Sequence, residues 1–326
     1  MIPFENQLPL AISASQLFKR FAPSLPPAVN HLDLQVSVGE SVAFLGPNGA
    51  GKSTTIKLLC GILVPDHGEV KIMGAPAGSK KANLLLGLVF GARSQLYFHM
   101  TVHQCLILQA ETYYVSGADQ KKRIGELSEI FGATNLLKRR VRELSLGERM
   151  RCEIIASLVH RPKVILLDEP TIGLDIGAKL SLREKLKEWQ RNEKTTMLLT
   201  SHDLGDVKAL CERCILINHG EKAYDGRLEQ VRGDLSTIRR IKLLLGEGAA
   251  STQDLINGLH EIESNNPMEK NFEFCLDKTP LPRVMEFLSL NYGTLLQDIQ
   301  ISGVPLEEVI QKRYSRTRIE AKQTRC

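Results

Sequence analysis

The chain has 326 residues, 43% of them hydrophobic and 24% charged, with a formal net charge of +5. This ordinary globular composition leaves room for one large domain and a smaller one; its longest apolar stretches, such as Asn83 to Phe90, fall far short of the ~20 residues a membrane-spanning helix needs. The charge is local: six basic residues (Lys312, Arg313, Arg316, Arg318, Lys322, Arg325) against Glu320 account for the +5, so the rest is neutral and nucleic-acid binding is not expected.

Met1 to Glu5 shows no basic region followed by an apolar one, so a cytoplasmic location is expected. The seven cysteines are odd in number and mostly set in apolar patterns, as reduced packing residues are. Cys211 and Cys214 have the spacing of a redox or zinc half-site, but no second pair accompanies them.

Alternation predicts strands over Ile12 to Leu17 and Leu32 to Val38, the second turning at Gly39-Glu40 into the apolar strand Ser41 to Leu45. A helix follows over Thr55 to Cys60, then strands over Gly68 to Gly74 and Leu84 to Phe90. The unbroken apolar run of the last predicts burial on both faces. From about 101 to 160 the period turns helical: Thr101 caps one helix, and Asp119 to Phe131 and Gly147 to Val159 form two more. This block reads as a helical lobe inserted into an α/β core.

The core resumes with a strand over Val164 to Asp168, a helix over Ala178 to Gln190, a strand over Thr195 to Thr200, a helix over Leu204 to Cys211 and a strand over Cys214 to Asn218. A hairpin then leads toward Tyr224. Strands alternating with helices imply a mostly parallel sheet with right-handed crossovers. The large domain is expected over 1–232. A small α+β domain is expected over 233–311, with strands at Thr237 to Leu243, Asn271 to Leu276 and Leu296 to Ile301 and helices at Thr252 to Glu261 and Leu281 to Asn291. Pro305 to Val309 opens a terminal helix, and 312–326 is a basic tail.

The chemistry is written first in Gly46-Pro47-Asn48-Gly49-Ala50-Gly51-Lys52-Ser53-Thr54, between a strand and a helix. It fits the phosphate-loop pattern G-x-x-x-x-G-K-[ST]. Glycines let successive N–H groups turn inward at phosphates, and the helix N-terminus adds partial positive charge. Lys52 suits the outer phosphates and Ser53 suits Mg²⁺. Second, Val164 to Glu169 is an apolar strand delivering two carboxylates at its C-terminal end, where parallel sheets bind ligands. Asp168 suits the Mg²⁺ shell and Glu169 suits an attacking water.

These segments, with Leu144-Ser145-Leu146-Gly147-Glu148-Arg149-Met150, Asp168-Glu169-Pro170-Thr171, Gly173-Leu174-Asp175 and Ser201-His202-Asp203, resemble the ATP-binding subunit of ABC transporters over roughly residues 10 to 232. The wording of the signature, Val89 to Leu96 and the closing Pro305 to Val309 look like the ABC-2 export branch, whose ATPase chains pair with separate permeases.

The resemblance implies a P-loop NTPase core, a RecA-like parallel sheet with an antiparallel β subdomain. To this it adds the helical lobe and the small C-terminal α+β domain, which is read as dimer-supporting. It implies ATP and Mg²⁺ as ligands: Phe21 on adenine, Gly46 to Thr54 on the phosphates, Ser53 and Asp168 on Mg²⁺, Glu169 as general base and His202 against the γ-phosphate. It further implies that Ser145, Gly147 and Asp175 act in trans, in a dimer with an identical or closely similar chain, and that integral-membrane permease subunits are partners of a peripheral assembly on the cytoplasmic face.

Two departures stand out. Leu146 and Glu148 replace the third and fifth residues of the usual L-S-G-G-Q signature, and Ala92 falls where a Mg²⁺-touching glutamine usually sits, with Gln95 three residues on as a substitute. The rival function is a soluble ABC ATPase without a transport role. A single cassette weighs against the ribosome-acting kind, and the span from Lys52 to Ser145 leaves no room for the coiled coils of the DNA-repair kind. An iron–sulfur assembly role stays open.

Overall fold

The computed structural model describes residues 9–91 and 94–231, and beyond them four strands and positions 285, 286, 289, 290 and 309. The chain divides into two compact units, Met1–Leu228 and Glu229–Cys326.

The first unit begins with strands β1 (Leu10–Lys19) and β2 (Val29–Ser37), joined later by β4 (His67–Ile72) and β5 (Ala75–Pro76) in an antiparallel sheet of order β2-β1-β4-β5. Alternation in β2 does what it predicts: Leu32, Leu34 and Val36 are buried while His31, Asp33 and Gln35 are exposed. The inward face joins one core with Phe44, Ile56, Leu166, Leu198 and Ile215. Burying each such side chain contributes about 1.5–3 kcal/mol before entropy is counted.

The second sheet runs β10-β9-β3-β8-β7-β6, built from β3 (Ser41–Leu45), β6 (Leu86–Phe90), β7 (Val164–Asp168), β8 (Thr196–Thr200), β9 (Arg213–Asn218) and β10 (Glu221–Arg227). All neighbours are parallel except the β9–β10 hairpin. Helices α6 (Ile176–Glu193) and α7 (Leu204–Leu210) cross from β7 to β8 and from β8 to β9, while α1 (Lys52–Leu59) follows β3 and leads back to β4 of the first sheet. The lobe holds α3 (Val102–Thr112), α4 (Gly117–Ile130) and α5 (Leu146–Leu158). Thr101 caps α3 in a full capping box with Gln104, worth about 1 kcal/mol.

The Leu84 to Phe90 expectation is corrected. Residues Lys80–Leu84 form a short helix, α2, capped by Ser79, and the strand begins only at Leu86. It lies at the sheet edge, with Leu88 and Phe90 half-buried. An apolar run alone does not separate an edge strand packed by helices from a central one. Gly87 is required there, since a Cβ would meet the Ser157 carbonyl oxygen of α5 at 2.5 Å.

In the second unit, β11 (Arg239–Leu245), β12 (Ile262–Ser264), β13 (Asn271–Leu276) and β14 (Leu296–Gly303) form an antiparallel sheet of order β12-β13-β11-β14. The three predicted strands are present, and β12 is an addition. The helix expected over Thr252 to Glu261, most of the one over Leu281 to Asn291, most of Pro305 to Val309 and the tail 312–326 lie outside the described residues, as does Ala92.

Candidate nucleotide site

The loop between β3 and α1 is shaped by two constraints. Gly51 takes φ +104°, and a Cβ there would stand 2.2 Å from the Ala28 carbonyl oxygen, so both conformation and space demand glycine. No side chain caps α1, which leaves its first N–H groups to an incoming anion. Lys52 is buried, and its Nζ donates to the carbonyls of Gly46 at 2.6 Å and Pro47 at 3.2 Å, folding the ammonium back over the loop. Burial lowers its pKa, while the nearby charges of Glu169 and Asp168 act in the opposite sense. Ser53, Pro47, Asn48 and Gly49 are exposed along the rim, Thr54 is half-buried, and Ala50 is buried beneath.

The acids arrive through strand register. Asp168 at the end of β7 pairs with Thr200 at the end of β8, and the Thr200 hydroxyl donates to Asp168 Oδ1 at 2.5 Å. The next amide, Glu169 N–H, donates to both the Thr200 carbonyl (3.0 Å) and its hydroxyl oxygen (3.1 Å). Glu169 holds φ +55°, a left-handed conformation costing about 1–3 kcal/mol in a non-glycine residue. Its Oε1 stands 3.1 Å from His202 Nε2, and the imidazole is half exposed.

Ser145 caps α5: its hydroxyl accepts from Glu148 N–H at 3.2 Å, and Glu148 Oε2 accepts from Ser145 N–H at 2.8 Å. The Ser145 N–H holds the Glu148 carboxyl below the usual carboxylate range, with Arg139, 2.8 Å away, adding to it. Glu148 is therefore a capping residue here. Leu146 lies over Gly173, and the position of Gly147 faces Ala178 and Leu174. Asp175, exposed, caps α6 by accepting from Ala178 N–H at 2.9 Å. The signature turn and the Gly173 to Asp175 turn are thus one packed surface.

Residues 29–172 match the ABC transporter family. The chain is 36% identical to the ABC transporter ATP-binding protein NatA of Bacillus subtilis over 226 residues, covering 67% of this chain and 92% of NatA. This chain belongs to the ABC transporter family of ATP-binding proteins. It is also 35% identical to the linearmycin resistance ATP-binding protein LnrL of Bacillus subtilis, over 59% of this chain and 62% of that one. Among solved structures, cbiO1 from Clostridium perfringens, part of the ABC transporter complex cbiONQ, superposes with a TM-score of 0.60 at 26% identity, over 68% of this chain and 94% of that one. The P-loop NTPase fold and ATP binding follow, and the family hydrolyses ATP.

Within this ABC cassette the remaining predicted residues divide. Phe21, 59% exposed two residues beyond β1, is an unburied ring; the chain then returns through Ala28, against which Gly51 packs. Gln95 is turned inward, its Nε2 donating to the carbonyls of Leu88 (3.3 Å) and Glu153 (3.1 Å) and its Oε1 accepting from Gln109 (3.5 Å). That placement argues against the Mg²⁺ role read for it.

Sequence reasoning missed Asp206. Fully buried, it accepts from Ser201 Oγ at 2.6 Å and Arg183 Nε at 2.6 Å, and from Thr171 Oγ1. Asp203 adds ion pairs to Arg183 and Lys179, both at 2.9 Å. One carboxylate so ties the turn after Glu169 to the turn holding His202. An acid three residues after the helix-capping Asp203, in the first turn of α7, was the available signal.

Proposed function

We propose that this chain is the ATP-hydrolysing subunit of a membrane export complex, working as a pair of cassettes bound to integral-membrane permease subunits at the cytoplasmic face. One observation carries the coupling: α5 presents Ser145 at its first turn, and Glu153 in its middle grips the segment leading to exposed aromatic rings. Glu153, 4% exposed, accepts from Ser94 Oγ and from Gln95 N–H at 3.1 Å, and beyond the buried Leu96 the rings of Tyr97 and Phe98 are 59% and 49% exposed. A shift of the signature turn is therefore carried to an apolar surface suited to a partner helix.

In this reading Phe21 stacks on adenine, Gly46 to Thr54 bind the phosphates, and Glu169 takes a proton from the attacking water while His202 contacts the γ-phosphate. Ser145, Gly147 and Asp175 complete the site of the opposite cassette; their shared packed surface supports that arrangement. Ser53 and Asp168 would hold Mg²⁺: the exposed hydroxyl and the half-buried carboxylate are the hard oxygen donors that ion takes. Bound there, it supplies charge neutralisation at the phosphate oxygens. The export direction rests on the wording of the signature and on the likeness to a relative named for linearmycin resistance.

The test is affinity purification of the tagged chain from detergent-solubilised native membranes. Co-purification of a multi-span protein in fixed ratio is the expected result. Recovery of soluble partners only, with the chain absent from membranes, would overturn the transport assignment and leave the ATPase chemistry standing.

A further inference from the structure

At the opposite end of the parallel strands from the phosphate loop lies a cavity of about 400 Å³, between the helical lobe and the core. Lys163 and Thr195, immediately before β7 and β8, line it, so it sits at the N-terminal ends of the strands whose C-terminal ends carry Asp168 and Thr200. Its wall is rich in donors and cations. Arg123 of α4, Arg161, Lys163 and Lys194 face a single acid, Glu193, and Trp189 of α6 is a further N–H donor.

Two of these groups are deeply buried and incompletely bonded. Arg123 is 4% exposed; its Nη1 pairs with Glu193 at 2.7 Å and more loosely with Glu126 at 3.7 Å, but its Nε and Nη2 are buried without a hydrogen-bond partner. Trp189, 1% exposed, has its Nε1 in the same condition. Buried donors are ordinarily satisfied, and a guanidinium offers the planar fork that phosphate and carboxylate match. We propose that this cavity binds a small polyanion bearing phosphate or carboxylate groups, held by the cations Arg161, Lys163 and Lys194 and backed by the buried, incompletely bonded Arg123 and Trp189 in its wall. Such a ligand bridges α4 of the lobe to α6 of the core. It therefore adjusts how the lobe, which carries the signature turn, sits on the nucleotide-binding sheet.

Trp189 is the only tryptophan in the chain, so its fluorescence reports this cavity directly. The experiment titrates the full chain with pyrophosphate in one arm and citrate in the other. Ionic strength is held constant with chloride and divalent cations are left out, and each titration is repeated in Lys52→Ala, which removes the phosphate-loop contribution. The expected result is a saturable change in the Trp189 signal with at least one probe, with affinity reduced threefold or more in Lys163→Gln/Lys194→Gln. That double variant alters exposed residues only, so the result stays readable even if Arg123→Gln fails to fold. The arm that saturates at lower concentration tells phosphate from carboxylate chemistry. Absence of saturation in both arms, or saturation that the double variant leaves within threefold of wild type, overturns the proposal.

Discussion

His202 Nε2 and Glu169 Oε1 stand 3.1 Å apart, and the pairing of two parallel strands puts them there. Thr200, opposite Asp168 in the β7–β8 register, bonds Asp168 through its hydroxyl and Glu169 through its carbonyl, and His202 follows two residues later. With a protonated imidazole the contact is an ion pair; with a neutral ring protonated on Nε2 it is a hydrogen bond. In both states the Glu169 carboxylate is oriented by a residue in the turn that follows the neighbouring strand.

Asp206 fixes both loops of that pair. Asp206→Ala removes the acceptor of Ser201, Thr171 and Arg183 at once, and is expected to cost on the order of 3 kcal/mol in urea unfolding. Because Asp206 touches the turns that carry Glu169 and His202, the kcat for ATP should fall more than KM rises. Equal stability to wild type, or a pure KM effect, would deny it this positioning role.

Glu153 links the signature helix to the Tyr97–Phe98 surface. Burial pushes its carboxyl above the usual range, against the hydrogen bonds it accepts from Ser94 and Gln95. Glu153→Ala leaves the Ser94 hydroxyl and the Gln95 amide without that acceptor, at about 1–3 kcal/mol. The isolated chain should keep ATPase activity within a few fold, whereas stimulation by the permease in reconstituted membranes should be lost. Intact stimulation would show that the coupling route lies elsewhere.

His160 gives the fold an acid sensitivity. Its ring stacks on Tyr113 at 3.7 Å, its Nε2 bonds the Leu86 carbonyl at 3.1 Å, and its Nδ1 is buried without a partner. Burial pushes its pKa from 6.5 down to about 4. The unfolded chain then takes up this proton first, so the stability is complete above about pH 6.5 and is lost as pH falls toward 4. The loss amounts to about 3 kcal/mol. Urea midpoints measured from pH 7 to 4 should fall less steeply for His160→Gln than for wild type. Parallel slopes would contradict the assignment.

The strands and helices with strong periodicity were legible, and β3, β7 and β13 begin and end where the pattern puts them. Short elements were not: α2 spans five residues and β12 three, too few for either period to register. Gln95 could be found from spacing, but its inward turn depends on Glu153, 58 residues away in sequence. Likewise the phosphate loop and the paired acids are contiguous motifs. The Thr171–Ser201–Asp206–Arg183 cluster is assembled from separate turns and helices, and only packing reveals it.

We propose Glu169 as the base of a site shared between two cassettes. The measurement that tests it most directly is made on purified Glu169→Gln with ATP and Mg²⁺, following turnover and mass by light scattering together. Turnover should fall by about 10²-fold or more while ATP binding is retained, and a dimer that wild type shows only transiently should accumulate. Wild-type turnover, or a monomer that binds ATP without pairing, would contradict it.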